Sequence, residues 1–246
     1  MKLKISELTG PDIPADAMRR AERLAQGYLE TELAMREHGV QHTIVVFGGT
    51  RIPDSEHLPN ADATDYYGIA REFGAIVGRS GHGPDDCSLT LMTGGGPGIM
   101  EAANRGATDV GAKSIGLNIR LPHEQVPNPY VTTGLSFNFR YFAIRKLHFL
   151  LRARALVVFP GGFGTMDELF ETLNLVQCRR IEPLPVVLVG REFWQRAVDL
   201  EFLAAEGLID SEDRQLYSYA ETAQQVWDSI VGWHEKAGMP LLCESR

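Results

Sequence analysis

Along this chain, short runs of consecutive apolar residues alternate with longer stretches in which apolar residues recur every three or four positions. Five runs stand out: TIVVFGG (43–49), SLTLMTGGG (88–96), KSIGLNI (113–119), ALVVFPGG (155–162) and LPVVLVG (184–190). Because they are continuous rather than alternating apolar and polar, they predict parallel strands covered on both faces by crossover helices. Helical spacing is found over 15–37, 62–80, 97–110, 137–152, 165–178, 191–206 and about 220–236. Regular succession of strand and helix predicts an α/β fold: a doubly wound, Rossmann-like parallel sheet in a single domain over 1–246. Residues 1–42 form an N-terminal helical extension, 43–206 the nucleotide-binding core and 207–246 a C-terminal extension in which 207–219 is a polar connection. In such sheets ligands bind outside the carboxyl ends of the strands.

Composition narrows the classes of partner. With 246 residues, 44% of them hydrophobic, the chain can bury one sizeable core. The net charge is −8 and the 24 basic residues are scattered, so no basic stripe is available to neutralise a nucleic-acid backbone. An acidic chain that holds an anion must do so with backbone N–H groups and a few aimed cations, which directs attention to glycine-rich turns near arginine. Cys87, Cys178 and Cys243 have no C-x-x-C spacing, and no His forms H-E-x-x-H, so neither a disulfide framework nor a metal is expected. The N-terminus lacks a signal-peptide pattern and no apolar run reaches 18 residues; a cytoplasmic protein with no membrane partner is expected.

Three of the predicted strands end in glycines: Gly48-Gly49-Thr50, Gly94-Gly95-Gly96-Pro97-Gly98, and Gly161-Gly162-Phe163-Gly164-Thr165-Met166-Asp167. Glycine lets a backbone approach an anion closely, and the N-terminus of the following helix supplies unpaired N–H groups. Pro97 suits a first helical turn, and Thr165 can cap a helix or donate to a phosphate oxygen. One such turn is a weak signal, but three at one edge of one sheet describe a nucleotide-sized cleft. The loops 51–64 and 121–136, rich in Pro, Asn and His, also follow strand ends and are open to ligand contact.

Two features have alternative readings. Glu168 completes T-x-x-E with Thr165, the pattern of a capping box, or it faces the sugar of a bound nucleotide and acts in glycosidic cleavage. Arg145 and Lys146, in a helix of apolar neighbours, form a solvated face with snorkelling stems or supply the cation a phosphate needs, with Arg140 a weaker candidate. The absence of G-x-x-x-x-G-K-[ST] and of G-x-S-x-G disfavours a triphosphate P-loop and an α/β-hydrolase. The second strand lacks the ribose-binding acid of a dinucleotide fold, which disfavours NAD.

GGGPGIMEAANRGA (94–107), the Arg145-Lys146 pair and PGGFGTMDE (160–168) resemble the Lonely guy (LOG) family of cytokinin-activating phosphoribohydrolases, over roughly residues 43–206. The resemblance implies a Rossmann-like homodimer or larger even homo-oligomer. It also implies hydrolysis, without cofactor, of a nucleoside 5′-monophosphate such as AMP or N6-prenylated AMP to free base and ribose 5-phosphate. By the same resemblance Arg145 and Glu168 are the catalytic pair. Lys146 and residues Gly161 to Asp167 bind substrate, Glu124 contacts the base, and Asn174 stands where many members have Thr. Two rival readings follow from the family's surroundings. One is an older label, lysine decarboxylase, which requires pyridoxal phosphate on a lysine. The other is a non-catalytic nucleotide or molybdenum-cofactor carrier of the same fold.

Overall fold

Seven strands, parallel throughout, make one sheet in the computed structural model, which describes residues 14–58, 60, 62–81, 87–120 and 126–242. The five apolar runs become β1 (His42–Phe47), β2 (Leu89–Thr93), β3 (Ser114–Ile119), β5 (Ala153–Val158) and β6 (Val186–Val189). Two strands are additional: β4 (Ser136–Phe139) and β7 (Tyr217–Ala220), one at each edge of the order β4-β3-β2-β1-β5-β6-β7. The central strands are buried almost without interruption, whereas β4 and β7 bury only their last residue fully. Continuous apolar sequence therefore marks the centre of the sheet, and the half-covered edges escape that criterion. Ser136–Phe139 was expected at the start of a helix, and Tyr217–Ala220 straddles the end of a segment expected to be a connection.

Helices cover both faces. On one side lie α2 (Tyr66–Arg79), α3 (Ile99–Asp109) and α8 (Ala223–Ala237), packed on Ile44, Val46, Val157, Val187 and Val189. On the other lie α1 (Ala15–Glu37), α4 (Phe142–Leu151), α5 (Phe163–Gln177), α6 (Arg191–Ala197) and α7 (Leu200–Ala205), packed on Val45, Phe47, Leu156, Val158 and Leu188. Alternate residues of β1 thus feed opposite cores, as the two-residue period of a strand requires. The expected helix 191–206 is broken between Ala197 and Leu200. Val198 is extended, and the Asp199 carboxylate accepts the Phe202 N–H at 2.9 Å to start α7.

An ion pair helps fasten the N-terminal helix to the core, beside the packing of Met35. Glu32 is 9% exposed and takes two hydrogen bonds from the Arg152 guanidinium, at 2.8 and 2.9 Å, with a third from Arg36 Nε at 2.6 Å. These bonds, led by Arg152 and opposed by burial, hold its carboxyl down at about 2. No helix among the described residues is long and apolar enough to cross a membrane.

Candidate active site

The chain runs from β1 outward to β4 and then restarts at β5 on the other side of β1, so the sheet reverses direction between β1 and β5. Side chains cannot fill the space above such a reversal as they do elsewhere, and ligands collect there. The three glycine turns meet at this place. Gly49 donates its N–H to Pro160 O at 2.8 Å, and Ile99 N–H donates to Gly49 O at 3.2 Å. Gly98 has φ +69° and faces Gly49 O so closely that a side chain there would strike backbone. At Gly161 a Cβ would collide with the Thr165 hydroxyl and lie 3.0 Å from Gly49 N.

Helix α5 begins at Phe163 with Gly162 as its N-cap and no side-chain cap. Thr165 is consequently the third helical residue, which removes the expected capping box: Thr165 N–H and Met166 N–H both bond to Gly162 O, at 3.0 Å. The donors left over are those of Phe163 and Gly164, as is general for a first helical turn, and that turn contains no acid to compete for them. Pro97 likewise lies ahead of α3, whose N-cap is Gly98.

Glu168, free of any capping duty, is buried at 6% exposure. Among the described residues its carboxylate makes no hydrogen bond and no ion pair within 4 Å. Burial pushes it up to about 7, against the opposing charges of Lys146 and Arg145 and with Glu171 and Asp167 adding to the rise. Arg145 does not lie on a solvated face. Its Nε donates to Leu117 O at 2.7 Å, its guanidinium stands 5.0 Å from the Phe149 ring, and Nη2 is 2.6 Å from where a side chain on Gly94 would begin. Burial draws it below the ordinary guanidinium value while the charge of Glu168 pulls it back. Lys146 Nζ bridges Asp167 at 2.8 Å and Glu171 at 3.0 Å. Burial lowers it, but these bonds and the charge of Glu168 prevail and hold it above the usual lysine value.

The structure thus brings Gly48, Gly49, Thr50, Gly94 to Gly98, Arg145, Lys146 and Gly161 to Glu168 to one end of the sheet. Asn174 is not part of this group. It is six residues beyond Glu168 on α5, exposed, and lines a separate cavity of about 140 Å³ with Leu173, Leu200, Leu203 and Leu216. Glu124 lies outside the described residues. Sequence reasoning passed over Glu171, although its spacing of four from Asp167 puts both on one helix face below Lys146. It also passed over Asn118, Asn104 and Asn128, which surround the second turn: Asn118 lies beside Gly95, and Asn128 holds Gly95 and Gly96. Asn128 falls in a loop that the sequence had marked for ligand contact; what it touches is the turn itself.

The chain is similar to several known proteins. The pyrimidine/purine nucleotide 5′-monophosphate nucleosidase of Escherichia coli K12 is 26% identical over 248 aligned positions, covering 96% of this chain and 49% of the relative. The chain therefore spans about half the length of that relative. A cytokinin riboside 5′-monophosphate phosphoribohydrolase of Arabidopsis thaliana is 28% identical over 166 positions, 64% of this chain and 75% of the plant protein. Among solved structures, the Moco carrier protein from Chlamydomonas reinhardtii superposes with a TM-score of 0.54 at 21% identity, covering 80% of this chain and 99% of that one. At that identity the superposition establishes the fold alone. Residues 100–230 match the family described as "Possible lysine decarboxylase", and with relatives named as nucleotide nucleosidase and phosphoribohydrolase beside that match, the chain belongs to that family, the LOG family.

Proposed function

We propose that the protein hydrolyses the N-glycosidic bond of a nucleoside 5′-monophosphate, AMP or N6-prenylated AMP, to free base and ribose 5-phosphate. The observation that carries this reading is Glu168: a buried, unpartnered carboxyl raised to about 7, on the helix whose N-terminus offers free donors to a phosphate. With the phosphate on the Phe163 and Gly164 N–H groups, Glu168 lies further along α5, towards the sugar. Ionised there, it stabilises the oxocarbenium character of the transition state or orients the attacking water. Arg145 and the turn amides bind the phosphorylated end with fixed donors.

The names of the relatives support the same substrate class. A decarboxylase would need a lysine able to lose its proton, and Lys146 is held charged between two carboxylates. A carrier has no use for a buried acid beside its ligand. The test is to incubate the protein with AMP and with N6-prenylated AMP and to look for free base by chromatography; no release from either, with a folded protein, ends the proposal. A cytoplasmic homodimer or larger even oligomer completes the reading. Its support is the exposed apolar surface of Phe142, Leu147, Leu151 and Phe163 on α4 and α5, and light scattering at a single 27.2 kDa would count against it.

A further inference from the structure

Behind the second glycine turn runs a buried chain of side-chain hydrogen bonds that the proposed chemistry does not use directly. Thr93 ends β2, Asn104 lies on α3 and Ser114 begins β3, all three without exposure, and Asn128, at 6%, comes from the segment before β4. The Thr93 hydroxyl donates to Asn104 Oδ1 at 2.7 Å and accepts the Gly95 N–H at 3.0 Å. Asn104 Nδ2 donates to Ser114 Oγ at 3.0 Å, and its Oδ1 takes a second bond from Asn128 Nδ2 at 3.0 Å. Asn128 then grips the turn twice: its backbone N–H donates to Gly95 O at 2.9 Å and its Nδ2 to Gly96 O at 3.0 Å.

Burying amides this deeply is costly unless each group is paired, and here they are paired with one another and with the turn. The consequence is an orientation. A trans peptide points its carbonyl and the next N–H in opposite directions. Fixing Gly95 O on Asn128 therefore turns the Gly96 N–H away from Asn128, while the Gly95 N–H is already taken by Thr93. Among the described residues the Gly96 N–H meets no acceptor.

We propose that Thr93, Asn104 and Asn128 are positioning residues that aim the Gly96 N–H as a fixed donor to an anionic oxygen of the phosphorylated ligand. The inference rests on the nucleotide reading above and names the device by which that site recognises its ligand. A donor held in place before binding needs no reordering when the anion arrives, so the network acts on affinity.

Thr93→Val keeps the shape but leaves the Gly95 N–H unpaired and removes one of the two donors to Asn104 Oδ1, Thr93→Ser restores the hydroxyl, and Asn128→Ala releases Gly96 O and Asn104 Oδ1 without entering the sheet. Steady-state kinetics with AMP are expected to show KM raised about tenfold or more in Thr93→Val and Asn128→Ala, with kcat within about threefold and its pH midpoint unmoved. Thr93→Ser stays within about twofold of the parent. Calorimetry with ribose 5-phosphate, which needs no turnover, is expected to give the same ranking of Kd. If the parent binds ribose 5-phosphate but releases no base, hydrolysis fails while the positioning role is still measured. Unchanged KM and Kd in a folded Asn128→Ala, equal behaviour of Thr93→Val and Thr93→Ser, or a parent with no affinity for AMP or ribose 5-phosphate would each overturn the inference. Should Thr93→Val not fold, by near-ultraviolet circular dichroism, Asn128→Ala decides it.

Discussion

Glu32 and Glu168 are nearly equally buried, at 9% and 6% exposure, and each has basic residues close by, yet their carboxyls move in opposite directions, to about 2 and about 7. At Glu168 burial is the leading cause, whereas at Glu32 hydrogen bonding outweighs it. At Glu32 the guanidiniums of Arg152 and Arg36 bond directly to the carboxylate. At Glu168 the neighbouring cations are occupied elsewhere, Arg145 Nε by Leu117 O and Lys146 by Asp167 and Glu171, so their charges are felt without satisfying it. One acid is spent on holding a helix; the other is left without a bonding partner among the described residues, as the proposed role in hydrolysis requires.

The sharpest way to break this contrast is to neutralise each acid. Glu168→Gln is expected to lower base release at least about 100-fold while the thermal midpoint stays or rises, because an uncompensated buried charge disappears. Retained activity with a lowered midpoint would invert the assignment. Glu32→Gln should do the reverse. Holding a carboxyl at about 2 instead of its ordinary 4.5 sets an upper bound of about 3 kcal/mol, which solvent screening of the pair reduces to about 1–2 kcal/mol. Urea denaturation should show a loss of that order, with kcat within about twofold wherever the variant is folded.

Dependence on pH separates the two acids within one molecule. The folded-state value of Glu32 is depressed, so its stabilisation is complete above 4.5 and lost as pH falls towards 2. The value of Glu168 is raised, so its contribution is complete below 4.5 and lost as pH rises through about 7. Melting curves of the parent and both glutamine variants between pH 2 and 8, about the range these values span, should show the acid-side slope missing in one and the neutral-side slope missing in the other. Activity should rise about tenfold per pH unit below about 7, as the role proposed for the ionised carboxylate requires. A pH profile falling through 7 would make Glu168 a proton donor instead. The smallest effect belongs to Asn174→Ala: its separate cavity predicts kcat/KM within about twofold of the parent.

Much of this was legible in the residues because burial on both faces writes itself as unbroken apolar sequence. β1, β2, β3, β5 and β6 satisfy that rule and were found; β4 and β7 lie at the edges, where Ser136-Phe137-Asn138-Phe139 and Tyr217-Ser218-Tyr219-Ala220 alternate and merge with neighbouring patterns. The glycine turns were readable for the same kind of reason, since few other sequences permit such close backbone contact. Glu168 was ambiguous because T-x-x-E fits two structures, and only the start of α5 at Phe163 separates them. Asn104 and Asn128 could not be found from local pattern, because their roles arise from contacts between residues 10 to 32 positions apart.

The interlocking of Gly49, Gly98 and Gly161 carries a consequence for how this protein diversifies. Gly98 is closed to a larger residue by the Gly49 and Thr50 backbone and Gly161 by the Thr165 hydroxyl, while a side chain on Gly49 would press on Pro160 O at 3.1 Å, so that corner of the cleft leaves little room for trading side chains. Substitutions that alter the cleft are expected on surfaces the turns do not touch. Paralogues would keep an identical anchor and differ in what they accept at the far side of the bound molecule, and a directed-evolution library aimed at new substrates should leave these three codons alone.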